Sequence, residues 1–134
     1  MALPRNPTNP EFYVYRLEVA RIPFYVGVGR STRASDRVRY IRSVMARAER
    51  GEPVKWSLSG SVVAELLRCG HEVSVAFVVR DLVRTEALER ERAEISRLLK
   101  KGEVLANIQH NPQRPGSASE VIQALEARLG DARA

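Results

Sequence analysis

The sequence predicts an α+β chain, with strands near the N-terminus and in the middle and helices between and after them. Three observations predict it. Two aromatic and β-branched runs, Phe12 to Leu17 and Pro23 to Val28, lie close together. Apolar residues then recur at helical spacing in four separate stretches. Between the second and third of these, His71 to Val79 alternates, with Val73, Val75, Phe77 and Val79 set against Ser74, Ala76 and Val78. A period of two marks a strand and a period of 3.6 a helix.

The elements follow in order. Phe-Tyr-Val-Tyr-Arg-Leu and Pro-Phe-Tyr-Val-Gly-Val are strands, and the short link Glu18 to Ile22 implies an antiparallel hairpin. The link has no Asn-Gly or Asp-Gly, so its turn type is not legible. Tyr13, Tyr15 and Leu17 share one face. If the hairpin is symmetric about residue 20, Tyr15 stands opposite Tyr25. Gly27, Gly29 and Arg30-Ser31-Thr32 break the second strand. The helix after them carries Ala34, Val38, Ile41, Met45 and Ala48 inward, with Arg33, Arg37 and Tyr40 on the neighbouring stripe. Gly51-Glu52-Pro53 ends it. Ser57 to Cys69 is a second helix, with Leu58, Val62 and Leu66 inward and Gly70 as its stop. Trp56 just before it packs into the core or roofs a groove. The run 71–79 is apolar enough to be central in its sheet. Thr85 caps a third helix that reaches about Lys101, with an inward stripe of Leu88, Glu91, Ile95 and Leu98. Residues 105–108 are a short buried segment, and residues 111–116 a proline-broken loop. Ser117 and Glu120 make a capping box for a last helix that carries Val121, Leu125 and Leu129.

A chain of 134 residues with 44% hydrophobic content suits one folded domain, here residues 11–134. Residues 1–10 hold three prolines and read as a flexible arm, not a secretory signal. No apolar run approaches membrane-spanning length, so no membrane partner is expected. The single cysteine, Cys69, allows no internal disulfide. It fits a cytoplasmic, reducing setting and reads as a buried, inert thiol. Lys and Arg number 22 against 16 Asp and Glu, a formal charge of +6, which favours polyanionic partners. Arg30, Arg33, Arg37, Arg39, Arg42, Arg47 and Arg50 crowd one stretch, and the planar guanidinium suits phosphate oxygens.

Glu91 departs most from a plain core pattern. It sits on an apolar stripe, whereas Glu86, Glu89 and Glu94 fall where solvent is expected. An unpaired buried carboxylate costs several kcal/mol, to order of magnitude. A divalent metal would compensate, as Mg²⁺ often uses a single protein carboxylate. A structural arginine pair or a stripe edge at the surface would serve equally. The arginines read as a phosphate-binding face or a solvated one. The tyrosine pair reads as packing or as chemistry.

In combination these features resemble the GIY-YIG nuclease family. Tyr13-Val14-Tyr15 stands where that family has Gly-Ile-Tyr, and Tyr25-Val26-Gly27 stands for Tyr-Ile-Gly. Arg33 follows on the next helix, then Glu86-Ala87-Leu88 with Glu91 and Ile95, then Leu105-Ala106-Asn107. The stretch 23–37 looks most like the branch in ankyrin- and LEM-domain nucleases and their bacterial relatives. The resemblance spans residue 12 to about residue 108. It implies a small three-stranded antiparallel sheet flanked by helices. It also implies a metal-dependent endonuclease acting on phosphodiester bonds in DNA, with one Mg²⁺ or Mn²⁺ held by Glu91. Tyr15 would act as general base or position the water, and Tyr25 would orient the water or the phosphate. Arg33 would neutralise transition-state charge. Arg30, Arg37, Asn107, Tyr13 and Gly27 are the candidate substrate-binding positions, Asn107 by bracing the site. Two departures stand out. Val28 replaces a common lysine, and Arg37 replaces a His or Tyr and stays protonated, so it cannot be a base. They keep open a second reading, a nucleic-acid-binding module of the same fold without cleavage. Duplex, branched and single-stranded DNA are not distinguished. A chain of this size could also work as a homodimer or with a partner protein.

Overall fold

The structure, a computed structural model, describes residues 9–133, with side chains through residue 130. The arm expected over residues 1–10 falls outside these apart from Asn9 and Pro10. Phe12–Val19 (β1) and Ile22–Arg30 (β2) form an antiparallel hairpin. Its turn is only two residues, Ala20 and Arg21, with φ of 47° and 67°. Positive φ at both central positions is what a type I′ turn requires, and its twist suits paired strands. Both strands are therefore longer than the sequence reading gives them.

The register corrects the expected tyrosine pairing. Val19 pairs with Ile22, Glu18 with Pro23 and Leu17 with Tyr25, leaving Phe24 as an extra residue on β2. This bulge and the short turn set Tyr15 opposite Gly27 and move Tyr25 to the diagonal position. Val73–Leu82 (β3) pairs antiparallel with the other side of β1, so the order is β2-β1-β3. β1 is central and β3 is an edge, contrary to the expectation from its apolar content. Its Phe77 remains 42% exposed. Arg80 lies over that ring at 3.8 Å, and Tyr13 packs edge-on at 4.9 Å.

Among the described residues four helices flank the sheet: Arg33–Glu49 (α1), Leu58–Arg68 (α2), Arg84–Lys100 (α3) and Ala118–Arg133 (α4). α1 buries Ala34, Ile41 and Val44. α2 is capped by Ser57, whose Oγ accepts the Gly60 N–H at 3.0 Å. Cys69 ends α2 and is exposed, not buried, because a C-terminal cap faces outward here. α3 starts a residue before Thr85 and buries Ala87, Glu94, Ile95, Leu98 and Leu99. That face is turned by about one residue from the expected stripe. Leu88 is exposed, and Glu94 is buried against the expectation that it meets solvent. Arg97 offsets the charge of Glu94 from one turn on.

The sheet separates two cores. Tyr13, Tyr15, Leu17 and Phe24 pack with α1, α2 and α4. Val14 and Val26 pack with α3 and Leu105 on the other face. Each fully buried Val, Leu or Phe contributes about 1.5–3 kcal/mol, so both faces hold helices in place. Beyond α3 the chain runs along the outer margin of β2. Ala106 N–H donates to the Phe24 carbonyl at 2.7 Å. This covers an edge that would otherwise offer unpaired backbone groups. Among the described residues, no helix is long and apolar enough to cross a membrane.

Candidate active site

The cleft in question lies where both layers meet the β2 margin. Tyr25 comes from β2, Arg37 from α1, Ser59 from the first turn of α2 and Glu91 from α3; the segment 106–109 closes it. Its volume is about 240 Å³.

The strands place the tyrosines through two close approaches. A β-carbon on Gly27 would stand 2.6 Å from Cζ of Tyr15, and one on Gly29 would stand 2.9 Å from Cε2 of Tyr13. The rings lie flat across these glycines, where any other residue would displace them. Tyr13 then fixes the start of α1. Its hydroxyl donates to the Ser31 carbonyl at 2.9 Å and accepts the Ala34 N–H at 3.2 Å. That N–H is one of the donors a helix N-terminus leaves without an intrahelical partner. Tyr13 therefore anchors the first turn of α1, one turn before Arg37.

Arg37 is the hub of the cleft. Its guanidinium sits 4.6 Å from the Tyr25 ring centroid, reaches the Tyr25 hydroxyl at 3.5 Å and donates to Ser59 Oγ. Its Nε is buried with no hydrogen-bond acceptor among the described residues. Tyr15 lies behind, 4% exposed, its ring 6.4 Å from that of Tyr25. Burial pushes the Tyr15 phenol up to about 12, with Tyr25 adding to the rise and Arg37 opposing it. Glu91 is half-buried, and burial alone raises its carboxyl above the ordinary value. Among the described residues it makes no ion pair or hydrogen bond.

Asn107 braces the wall. Its Oδ1 accepts the Val26 N–H at 3.0 Å and its Nδ2 donates to the Val26 carbonyl at 2.8 Å. The side chain thus stands in for a strand partner of β2. Asn111 holds that segment in turn, donating to the carbonyls of Leu105 at 3.1 Å and Asn107 at 2.8 Å.

The structure thus gathers Tyr25, Arg37, Glu91 and Asn107 around one cleft, with Tyr15 directly behind. It does not bring Arg33 there. Arg33 is the first residue of α1, exposed and one turn short of the lining. Arg30 lies elsewhere, ion-paired to Glu11 at 2.9 Å and over Phe12 at 5.9 Å. Gly27 is covered by Tyr15, and Tyr13 is committed to α1. Sequence reasoning missed Ser59 and Asn111. Ser59 carries no pattern signal, while the Asn111-Pro112 pair was a readable turn marker.

Among the described residues, no group of three or more His, Cys, Asp or Glu is placed to hold a metal ion. A lone carboxylate on a polar cleft still fits Mg²⁺, which retains several waters and takes few protein ligands. Glu91, raised by burial and without a partner cation, has that character. Comparison with family models, with curated proteins and with solved structures finds no match.

Proposed function

We propose that the protein is a metal-dependent endonuclease of the GIY-YIG type that hydrolyses phosphodiester bonds in DNA. One observation carries this reading. Arg37 and Glu91 line the same cleft with opposite charges, yet they do not pair with each other, and each lacks a counter-ion among the described residues. Opposed charges held apart leave room for a phosphate at the cation and a metal at the anion. Bound at Glu91, a divalent cation would stabilise charge on the phosphoryl oxygens and help supply a nucleophile.

The protein's own groups divide the remaining work. Arg37 presents a fixed fork to the phosphate, held by Ser59 and the Tyr25 ring. Tyr25 orients the phosphate or the attacking water through its hydroxyl. Tyr15, with a pKa of about 12, stays a neutral phenol at pH 7, so it serves as donor and water positioner, not as resident base. Arg33, one turn earlier on the same face, would meet an adjacent phosphate. Further cations flank the cleft: Arg92 and Arg114 line the next depression, beyond residues 108 and 109. Glu91→Gln and Arg37→Ala should each lower Mg²⁺- or Mn²⁺-dependent cleavage by about a hundredfold or more while the fold persists. Wild type that leaves duplex, single-stranded, flap and junction DNA intact with either metal would refute the reading.

One observation favours a second reading, a binding module without cleavage. The expected catalytic arginine, Arg33, stands outside the cleft, and Arg37 is engaged by Ser59 and Tyr25. That reading predicts salt-sensitive DNA binding that Glu91→Gln does not weaken, and no cleavage.

A further inference from the structure

A second cleft adjoins the first. It lies between α1 and the segment leading into α2, with a volume of about 360 Å³. Arg37 and Ser57 line both clefts, so the two are continuous. Tyr40 and Trp56 present aromatic rings to it, Ile41 gives it an apolar wall and Lys55 stands at its rim. Its charged lining residues, Arg37 and Lys55, are both cationic. By contrast, the groove between α2 and α4 includes Glu65 and Glu126.

Tyr40 is the odd residue. It is 64% exposed, the most exposed large apolar side chain among the described residues. It follows Arg37 on α1 by three residues, so it projects on the cleft's side of the helix. Trp56 packs partly against the core, and its indole Cε3 lies at ordinary contact distance, 3.7 Å, from where a β-carbon on Gly60 would stand. One ring is thus fixed and the other is open to solvent, with a phosphate-seeking arginine between this cleft and Glu91.

We propose that this cleft is a stacking subsite for an unpaired nucleobase next to the phosphate held at Arg37. The inference rests on the nuclease reading and deepens it by naming what the enzyme recognises beside the bond. An aromatic face accepts any base, so the subsite would favour single-stranded or displaced nucleotides without reading sequence. Lys55 would meet the neighbouring phosphate. Stacking on tyrosine or tryptophan explains a ring that the described residues leave 64% exposed.

The single tryptophan of the sequence makes the test direct. Metal-free protein is titrated at low salt with oligo(dT) and with an abasic strand of equal phosphate number, following Trp56 emission. The expected result is tighter binding and a larger emission change with the base-bearing strand. Tyr40→Ala should weaken oligo(dT) binding about tenfold, Tyr40→Phe should retain it, and neither should change abasic binding. Tyr40 is exposed, so both variants keep the fold, which circular dichroism verifies. Equal binding of the two strands, or a Tyr40→Ala variant that binds as wild type, overturns the subsite. If the same preparation still cleaves DNA with Mg²⁺, the nuclease reading survives that failure. Absence of any DNA binding overturns both.

Discussion

Replacing Gly27 by alanine tests whether the ring of Tyr15 depends on a bare backbone opposite it. The added β-carbon would lie 2.6 Å from Cζ and from the hydroxyl oxygen, and 2.8 Å from Cε1. Carbon atoms pack best at about 3.5–4.0 Å, so the overlap is close to 1 Å. Tyr15 has little room to retreat, with the rings of Tyr13 at 6.0 Å and Tyr25 at 6.4 Å. Overpacking of this kind costs about 1–3 kcal/mol. Alanine recovers part of this, because glycine within a strand is worse by about 0.5–1 kcal/mol. The net expectation is a loss of about 1–2 kcal/mol, or roughly 4–8 °C in Tm at this size. Wild type, Gly27→Ala, Tyr15→Ala and the double variant form a cycle measured by urea and thermal unfolding. With Tyr15 truncated the clash is gone, and Gly27→Ala should become neutral or mildly stabilising. A Gly27→Ala protein as stable as wild type refutes the reasoning. So does the same cost in the Tyr15→Ala background.

Three further outcomes follow from the geometry. Asn107→Ala leaves the Val26 N–H and carbonyl without partners, so stability should fall by about 2–4 kcal/mol, and hydrogen exchange at Val26 should accelerate; a loss below about 1 kcal/mol would show that water replaces the carboxamide. Phenolate absorbance should show Tyr15 ionising near pH 12, and Arg37→Ala should move it higher still, since Arg37 opposes the rise. A Tyr15→Phe difference titration with its midpoint at 10.0 contradicts this. Burial raises the Glu91 carboxyl above 4.5, so the folded state prefers it protonated. Stability is then full below pH 4.5 and declines as pH rises through the higher folded value. Glu91→Gln should therefore exceed wild type in Tm at pH 7 and match it at low pH, and Mg²⁺ should raise the Tm of wild type alone; a Tm difference that does not depend on pH is the adverse result.

Periodicity made the helices readable, and the markers at their ends placed most boundaries. Ser57 before α2 and glycines at 51 and 70, with φ of 81° and 83°, are local signals tied to local geometry. The hairpin was harder. Ala20 and Arg21 adopt positive φ without the residues that usually announce it, so neither turn length nor register was legible. The bulge at Phe24 has no local marker, and the Phe24 carbonyl meets the Ala106 N–H, a contact remote in sequence. β3 misled through composition. Its valines suit a buried strand, but among the described residues β1 has hydrogen-bonding partners on both sides while β3 pairs with β1 alone. Cys69 misled through a general tendency of thiols that a helix end does not obey. The residues around the candidate cleft were legible in part: Tyr25, Glu91 and Asn107 line it as well as Arg37, but Arg33 and Arg37 occupy one stripe, and periodicity alone does not say which of the two reaches it.

The two carboxylates of α3 differ in how their charge is met. Glu94 is the more buried, yet Arg97 pairs with it one turn away on the same helix. Its charge is satisfied locally, and nothing else need approach. Glu91 is less buried and has no such neighbour: the residue three positions on is Glu94 itself, and the residue four positions on is Ile95. Arg37 faces the same cleft from α1 but turns to Ser59 and Tyr25, leaving Glu91 unmatched among the described residues. Burial alone would have nominated Glu94. The unbalanced charge nominates Glu91, and it does so from electrostatics that hold whatever family the chain resembles. A cation at that carboxylate is thus the addition that would relieve the cost, and the Mg²⁺-dependent rise in Tm, lost in Glu91→Gln, measures it without any appeal to catalysis.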